Sequence, residues 1–296
     1  MLKLVRASDE PILKPRKDVP WEKDTVFNAA AIFDKGKFHL LYRAVAHNPG
    51  DRNRSSIGYA WSTDGLHFER LDRPVLSPNI VVEERQGVED PRLVKMDNMY
   101  YMCYTAYDLR RTQIALATSK DLFQWQRKGV IMGHRPFGNN KDASLFPEKF
   151  GGRYCLMHRP DPDIYLSFSD DLHTWSDHTC IMKPEFDWEA KRIGGGAQPL
   201  RTEKGWLLVY HGVDDKMWYR LGIALLDFED PTKVVKRQAE FILEPELDWE
   251  RTGDVKNVVF TCGAVLLGRE LWVYYGCADA VIGLAKGDVD DFLGDV

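Results

Sequence analysis

Apolar residues recur along this chain in short continuous runs, separated by polar and glycine-rich stretches, and the pattern repeats five times. The most apolar run of each copy covers residues 38–43, 100–105, 154–159, 206–211 and 271–276. A second run follows at residues 57–62, 114–119, 164–169, 221–225 and 281–285. Both sets are short, rich in aromatic and β-branched residues and bounded by turn formers, which predicts strands rather than helices. An opening strand precedes each pair and begins with polar or glycine-rich chemistry. The openings are Asn28-Ala29-Ala30, Glu89-Asp90-Pro91-Arg92, Asp142-Ala143-Ser144, Gly194-Gly195-Gly196-Ala197 and Thr261-Cys262-Gly263-Ala264. In three copies a polar turn at Asp64, Asp121 or Asp171 leads to an aromatic, Phe68, Trp125 or Trp175. Aspartate hydrogen-bonds its own backbone two residues on, so these positions are assigned to turn formation and packing.

Internal repeats of this size mean a solenoid, an array or a propeller. All-strand repeats with no helix between them favour the propeller. The expected fold is therefore an all-β, five-bladed β-propeller forming one domain over residues 1–296. A fourth strand ending in proline follows in several copies, as in residues 70–78 and 237–245. The last copy lacks one, whereas the N-terminus repeats the same Arg-to-Pro pattern between Arg6 and Pro15. Residues near 3–15 are expected to complete the fifth blade and close the ring, which removes an exposed sheet edge. In a propeller the opening strands line a central channel, so their polar residues converge although they lie far apart in sequence.

Composition narrows the function. A formal net charge of -5 argues against a dedicated nucleic-acid binder. Five cysteines is an odd number, and Cys103, Cys155, Cys262 and Cys277 lie in or beside apolar runs, which suits reduced thiols in a cytoplasmic protein. No metal-binding spacing, signal-peptide core or run of about 18 apolar residues occurs. No metal, cofactor or membrane partner is expected.

The chemistry-bearing residues sit at strand ends. Glu89, Asp90 and Arg92 surround Pro91 at the mouth of the second opening strand, and strand periodicity would put Asp90 and Arg92 on one side. A blade-to-blade ion pair and a catalytic carboxylate fit these residues equally well. Lys141, Arg159 and His211 also lie at strand ends expected to face the channel, with Tyr219 just beyond. Such a cluster makes an anion site, in which arginine offers a fork and lysine a point charge. Asn28, Arg43 and Asp279 suit sugar hydroxyls. Gly194-Gly195-Gly196 precedes no helix pattern, so a strand hugging a crowded axis explains it better than a nucleotide loop.

Taken together, Leu41-Tyr42-Arg43-Ala44, Gly87-Val88-Glu89-Asp90-Pro91-Arg92, Asp142-Ala143-Ser144-Leu145-Phe146-Pro147, Met157-His158-Arg159-Pro160 and Tyr274-Tyr275-Gly276-Cys277-Ala278-Asp279 resemble glycoside hydrolase family 130, the β-mannoside phosphorylases. The resemblance spans almost the whole chain and implies a five-bladed propeller. It implies Asp90 as the catalytic acid, Lys141, Arg159, His211 and Tyr219 around phosphate, and Asn28, Arg43 and Asp279 around the transferred mannose. Arginine is expected as often as lysine at position 141, so Lys141 keeps the charge but loses the fork. The implied reaction is inverting phosphorolysis to α-mannose 1-phosphate, with inorganic phosphate as co-substrate. A relay of the Asp90 proton through the sugar 3-hydroxyl is also implied.

The nearest alternative is a glycoside hydrolase on the same propeller, which needs a second channel carboxylate as base rather than a phosphate cluster. A propeller used for protein interaction is the other, but the tryptophan-aspartate ends typical of such repeats are missing. The expected substrates are β-1,4-linked manno-oligosaccharides, or mannose joined to glucose or N-acetylglucosamine. Loops at residues 46–55 and 135–140 are expected to choose the acceptor. The sequence leaves oligomeric state open, a homo-oligomer included.

Overall fold

Local chemistry sets the strand ends. Asp64 accepts backbone N–H bonds from Leu66 and His67, both at 2.9 Å, and Asp121 and Asp171 do the same for the residues two and three positions on. A serine two residues earlier, Ser62, Ser119 or Ser169, donates to each carboxylate. These turns direct the chain into the next strand at equivalent places in three repeats.

The structure is a computed structural model that describes residues 1–47, 54–79, 82–133 and 136–294. After β1 (Val5–Arg6), the first blade comprises β2 (Thr25–Asp34), β3 (Lys37–Ala46), β4 (Arg54–Ser62) and β5 (Glu69–Arg70). The second contains β6 (Gly87–Met96), β7 (Met99–Tyr107), β8 (Thr112–Ser119) and β9 (Gln126–Met132). The third contains β10 (Asn140–Leu145), β11 (Tyr154–Pro160), β12 (Ile164–Ser169) and β13 (Ser176–Met182). The fourth has β14 (Arg192–Gly195), β15 (Leu200–Thr202), β16 (Gly205–Val213), β17 (Tyr219–Leu226) and β18 (Val234–Arg237). The fifth has β19 (Val259–Leu267), β20 (Glu270–Cys277) and β21 (Val281–Asp288), with β1 added to its outer edge. Pairing within each blade is antiparallel, and parallel pairs join neighbouring blades, Ser55 with Gly87 between the first two and Tyr219 with Val258 between the fourth and fifth. The fold is a five-bladed β-propeller.

Each blade is covered on both faces by its neighbours, so both faces of its strands must be apolar. This is why the sequence reads as continuous apolar runs rather than as alternation. Five main buried clusters result, one at each blade junction. Leu207, Val209 and Ile223 of the fourth blade meet Val259, Leu271 and Val273 of the fifth, for example. The thiols of Cys103, Cys155, Cys262 and Cys277 are free and buried, and Cys180 is half-buried.

A polar fastening repeats in four blades. A buried tyrosine on the second strand donates its hydroxyl to a buried glutamate from the preceding connection: Tyr42 to Glu22, Tyr104 to Glu84, Tyr210 to Glu189 and Tyr275 to Glu250. An arginine from the outer edge neutralises each glutamate: Arg70, Arg127, Arg237 and Arg6, respectively. Three of these arginines belong to the Arg-to-Pro pattern read from the sequence. In the third blade His158 takes the tyrosine position and bonds Asn140 and Ser167 instead.

Two side chains tie the blades at the axis. Arg92 is 1% exposed and donates to the carbonyls of Asp90, Gly195 and Gly196 and to the carboxylate of Asp142, linking blades two, three and four. Gln198 donates to the carbonyls of Ala31 and Ala264, linking blades four, one and five.

The N-terminal segment pairs Val5 with Lys286 and Arg6 with Ala285, and Leu13 bridges to Ile282. Arg6 also forks onto the fully buried Glu250 with two 2.8 Å bonds. Stranding one member of a buried ion pair costs about 3–5 kcal/mol. Deleting residues 3–15 is expected to lower the melting temperature by on the order of 10 °C or more and to promote association through the bared β21 edge. A truncated protein that melts like the parent and stays monodisperse by light scattering contradicts a closing role for this segment.

Candidate active site

The opening strands of the first three blades do not run straight. Each breaks register with its partner at one point: between Phe27 and Ala30, between Glu89 and Arg92, and between Lys141 and Ser144. At those bulges Asn28, Asp90 and Asp142 adopt left-handed backbone angles, with φ of 50°, 50° and 55°. Asparagine and aspartate tolerate this region better than other side-chain-bearing residues. A bulge re-aims a side chain out of the regular pleat. All three are buried side chains at one level of the axis, at the same position in their repeats.

Two connected groups form. In the first, Asn28 Nδ2 donates to Asp90 Oδ1 at 2.9 Å. Arg43 bridges two carboxylates, reaching Glu89 Oε1 at 2.8 Å and Asp90 Oδ1 at 3.2 Å. Asp279 follows β20 in a left-handed turn with φ of 53° and makes no hydrogen bond among the described residues. Gly276 faces Asn28, and a Cβ there would lie 2.2 Å from Asn28 Oδ1, so only glycine permits the approach. Asn28 Oδ1 and Arg43 Nε are buried without partners.

The second group centres on Asp142, which is fully buried. It receives Arg159 Nε at 2.7 Å and Arg92 Nη2 at 3.3 Å, and His211 Nε2 lies 3.8 Å away. Arg159 also bonds Asp161 through Nη1. His211 is buried between the rings of Tyr219 and Phe260, and neither ring nitrogen has a hydrogen-bond partner. A Cβ on Gly194 would meet the His211 ring at 2.4 Å, so the bare backbone of β14 is what admits this imidazole. The Tyr219 hydroxyl accepts from Arg192 at 2.5 Å. Lys141 pairs in register with Arg159, is half-buried and has no hydrogen bond or ion pair among the described residues.

Electrostatics divides the carboxylates. Burial raises the Asp90 carboxyl, but Arg43, Lys141 and Arg92, with the Asn28 hydrogen bond, outweigh it and hold it below its ordinary value. Burial raises Asp142 too, and there Arg159 and Arg92 win by a wide margin. Burial prevails at Glu89 against Arg43, leaving it raised, and pushes Asp279 up to about 6. His211 is lowered to about 3 by burial and by the neighbouring cations, against the pull of Asp142. It is therefore a neutral imidazole at physiological pH.

All eight residues singled out from sequence are brought to this channel. Two readings need correction. Asp90 and Arg92 do not act as a same-side pair, because the bulge intervenes, and Arg92 bonds the Asp90 carbonyl rather than its carboxylate. Arg159 is not a free fork, since Asp142 and Asp161 occupy Nε and Nη1. Asp142 was missed as a site residue, although its repeat position matches Asn28 and Asp90. Arg192 was missed too, and no sequence signal distinguishes it. Volume does not point here either, because clefts of about 750 and 610 Å³ open toward the other end of the strands. Of the expected acceptor loops, residues 48–53 and 135 lie outside the described residues.

The channel thus sets buried carboxylates beside an ammonium and a neutral imidazole that make no hydrogen bond among the described residues, an arrangement able to supply a proton and to accept an anion. The family model described as beta-1,4-mannooligosaccharide phosphorylase matches residues 3–295. The chain belongs to this family, glycoside hydrolase family 130, and is a glycoside phosphorylase. It is 51% identical to a 1,2-beta-oligomannan phosphorylase of Thermoanaerobacter sp. (strain X514), over 98% of this chain and 99% of the relative. It is 49% identical to a beta-1,2-mannobiose phosphorylase of the same organism, over 96% and 97%. A beta-1,4-mannooligosaccharide phosphorylase of Ruminococcus albus is 32% identical, over 97% and 89%. The solved beta-1,2-mannobiose phosphorylase of Listeria innocua, in complex with beta-1,2-mannobiose, superposes with a TM-score of 0.89 at 28% identity, covering 99% of both chains. Another solved structure has a TM-score of 0.86 at 27% identity and covers 96% and 93%. It is described under the finding that this family of mannoside phosphorylases contains glycoside hydrolases that target beta-1,2 mannosidic linkages in Candida mannan. The expected β-1,4 preference is not supported, because the relatives at 51% and 49% identity carry β-1,2 names.

Asp279 binds its proton more tightly when folded, at about 6 against an ordinary 3.8. The folded state therefore holds more protons between about pH 4 and pH 6, and its stability falls as pH rises through that window. Asp279→Asn removes this loss. Calorimetric melting at pH 4 and pH 7 is expected to show the variant gaining on the parent by up to about 3 kcal/mol at the higher pH. An unchanged difference between the two pH values contradicts the assignment.

Proposed function

We propose that the protein carries out inverting phosphorolysis of β-1,2-linked mannosides, with inorganic phosphate as co-substrate and no further cofactor. The observation that carries this reading is the pairing state of the cationic group. Among the described residues Lys141 makes no hydrogen bond or ion pair, and neither ring nitrogen of His211 makes a hydrogen bond, although His211 is buried. Buried polar groups are otherwise hydrogen-bonded, and a phosphate anion would supply acceptors to both, and to Tyr219 and the remaining Arg159 nitrogen. The β-1,2 preference is supported by the names of the relatives at 51% and 49% identity.

In this reading Asn28, Arg43 and Asp279 hold the mannosyl ring through the partnerless Asn28 Oδ1 and Arg43 Nε and the free Asp279 carboxyl. A phosphate oxygen attacks the anomeric carbon from the side opposite the aglycone. The bond from that carbon to the glycosidic oxygen breaks, and the leaving oxygen takes a proton from Asp90, directly or through the 3-hydroxyl. The product is α-mannose 1-phosphate. Both routes need Asp90 protonated in the ternary complex, whereas the cations hold it ionised in the free protein. Phosphate offsets Lys141 and Arg159, and the sugar excludes water, and both changes push the carboxyl up.

Asp90→Asn is close to isosteric and preserves the acceptor for Asn28 and Arg43. General acid catalysis contributes about 10²–10⁴-fold, so turnover is expected to fall by at least that factor. In the parent, the alkaline limb of kcat should lie at higher pH than that of kcat/KM, because substrates raise the Asp90 carboxyl. A variant keeping more than about a tenth of parental turnover removes Asp90 from the role.

Lys141 gives the cleanest test of the nucleophile, because changing it breaks no hydrogen bond or ion pair among the described residues. A charge-assisted hydrogen bond contributes roughly 1.5–3 kcal/mol. Lys141→Met is expected to raise the apparent phosphate constant about 10- to 100-fold with little effect on mannoside binding measured without phosphate. Phosphorus NMR should identify α-mannose 1-phosphate as the product. Release of free mannose at full speed in phosphate-free buffer would instead make this chain a hydrolase.

A further inference from the structure

A groove lined by aromatic and charged side chains opens at the opposite end of the first two blades. The groove between them has a volume of about 610 Å³, within the range of ligand clefts. It lies where β2 ends at Asp34 and β4 ends beyond Trp61, six residues along β2 from Asn28. At about 3.3 Å per residue that is roughly 20 Å from the channel residues.

The floor and wall are aromatic. Trp61 lies parallel to Tyr59 at 5.8 Å and 23°, and Phe123 meets Tyr59 edge-on at 4.8 Å. Phe123 keeps 47% of its surface exposed and Trp61 is half-buried. Around them stand the exposed side chains of Lys35, Lys37 and Lys120, which make no hydrogen bond or ion pair among the described residues, and Asp121. Apolar rings ringed by hydrogen-bonding groups match a sugar, which has apolar C–H faces and a hydroxyl edge. They do not match a purely apolar partner.

The repeat supplies an internal control. The groove between the second and third blades is lined at the same three repeat positions by Leu116, Thr118 and His173, where the first groove has Tyr59, Trp61 and Phe123. Its volume is about 310 Å³. The equivalent groove thus forms without aromatics at these three positions, although Tyr101 also lines it and Tyr59 and Trp61 contribute to the core in the first.

We propose that this groove is an accessory binding site for β-mannosyl oligosaccharides, remote from the channel, that retains longer chains on the enzyme. The choice of sugar rests on the mannoside reading of the channel. The test uses isothermal titration calorimetry with β-1,2-mannotetraose in the Asp90→Asn background, where turnover is suppressed. The channel is saturated with α-mannose 1-phosphate together with mannose, which fill its donor and acceptor positions. One remaining tetraose site per chain is expected. Trp61→Thr with Phe123→His, which installs the residues of the neighbouring groove, should weaken that site at least about tenfold. In the otherwise parental protein the same pair should leave kcat/KM for β-1,2-mannobiose unchanged. The absence of residual tetraose binding with the channel filled overturns the proposal and needs no variant. So does a double variant that changes the molar mass in solution but not tetraose binding, which would assign the groove to self-association. Failure of the parent to phosphorolyse any β-mannoside is a separate outcome, and it overturns the mannoside reading together with this choice of ligand.

Discussion

The buried guanidinium of Arg92 holds the channel together. It sits at the axis, 1% exposed, and spends its donors on three blades at once. A buried ion pair such as Arg92 with Asp142 is weak evidence for net stability, because desolvation offsets attraction. Its value here is geometric. Carbonyls of Asp90, Gly195 and Gly196 are left over where the opening strands bend, and one rigid fork satisfies all three. The bulges that re-aim Asp90 and Asp142 are therefore tolerable only because Arg92 occupies the space between them.

Arg92 and the cations around it give the carboxylates different affinities for a proton. Asp142 is neutralised by Arg92 and Arg159 and remains ionised under all ordinary conditions. It pairs with Arg159 and sits beside His211. Asp90 is lowered by Arg43, Lys141 and Arg92 with the Asn28 hydrogen bond, so its affinity for a proton responds to whatever binds near Lys141. At Asp279 burial prevails against Arg43 and Lys141 and raises the carboxyl. Four carboxylates within one channel thus differ in proton affinity through placement alone.

The outer rim uses a second repeated device. Tyrosine, glutamate and arginine fasten four blades, and in the fifth the arginine arrives from the N-terminus as Arg6. The third blade replaces the set with His158, Asn140 and Ser167, which accounts for a histidine next to Arg159 that never reaches the channel. A repeat that keeps its fasteners constant is free to vary elsewhere. That freedom is visible in the aromatic groove at Trp61 and Phe123.

The repeat was legible in the sequence because each blade is sandwiched between two others, which forces its strands to be apolar on both faces. Five apolar pairs, their turns and the Arg-to-Pro strands followed from that constraint, and with them the blade count. Asn28, Arg43, Asp90, Lys141, Arg159, His211, Tyr219 and Asp279 stood out because polar residues at the ends of such strands are exceptional. What tertiary structure alone decided is where those side chains aim and with whom they pair. Strand periodicity would have paired Asp90 with Arg92, but a left-handed residue inserts an irregularity that periodicity cannot express. The partners of Asp142 come from residues 50 and 17 positions away, and the nearest imidazole from a different blade. Proton affinities depend on those distances and on burial, so the differences among these carboxylates exist only once the ring has closed.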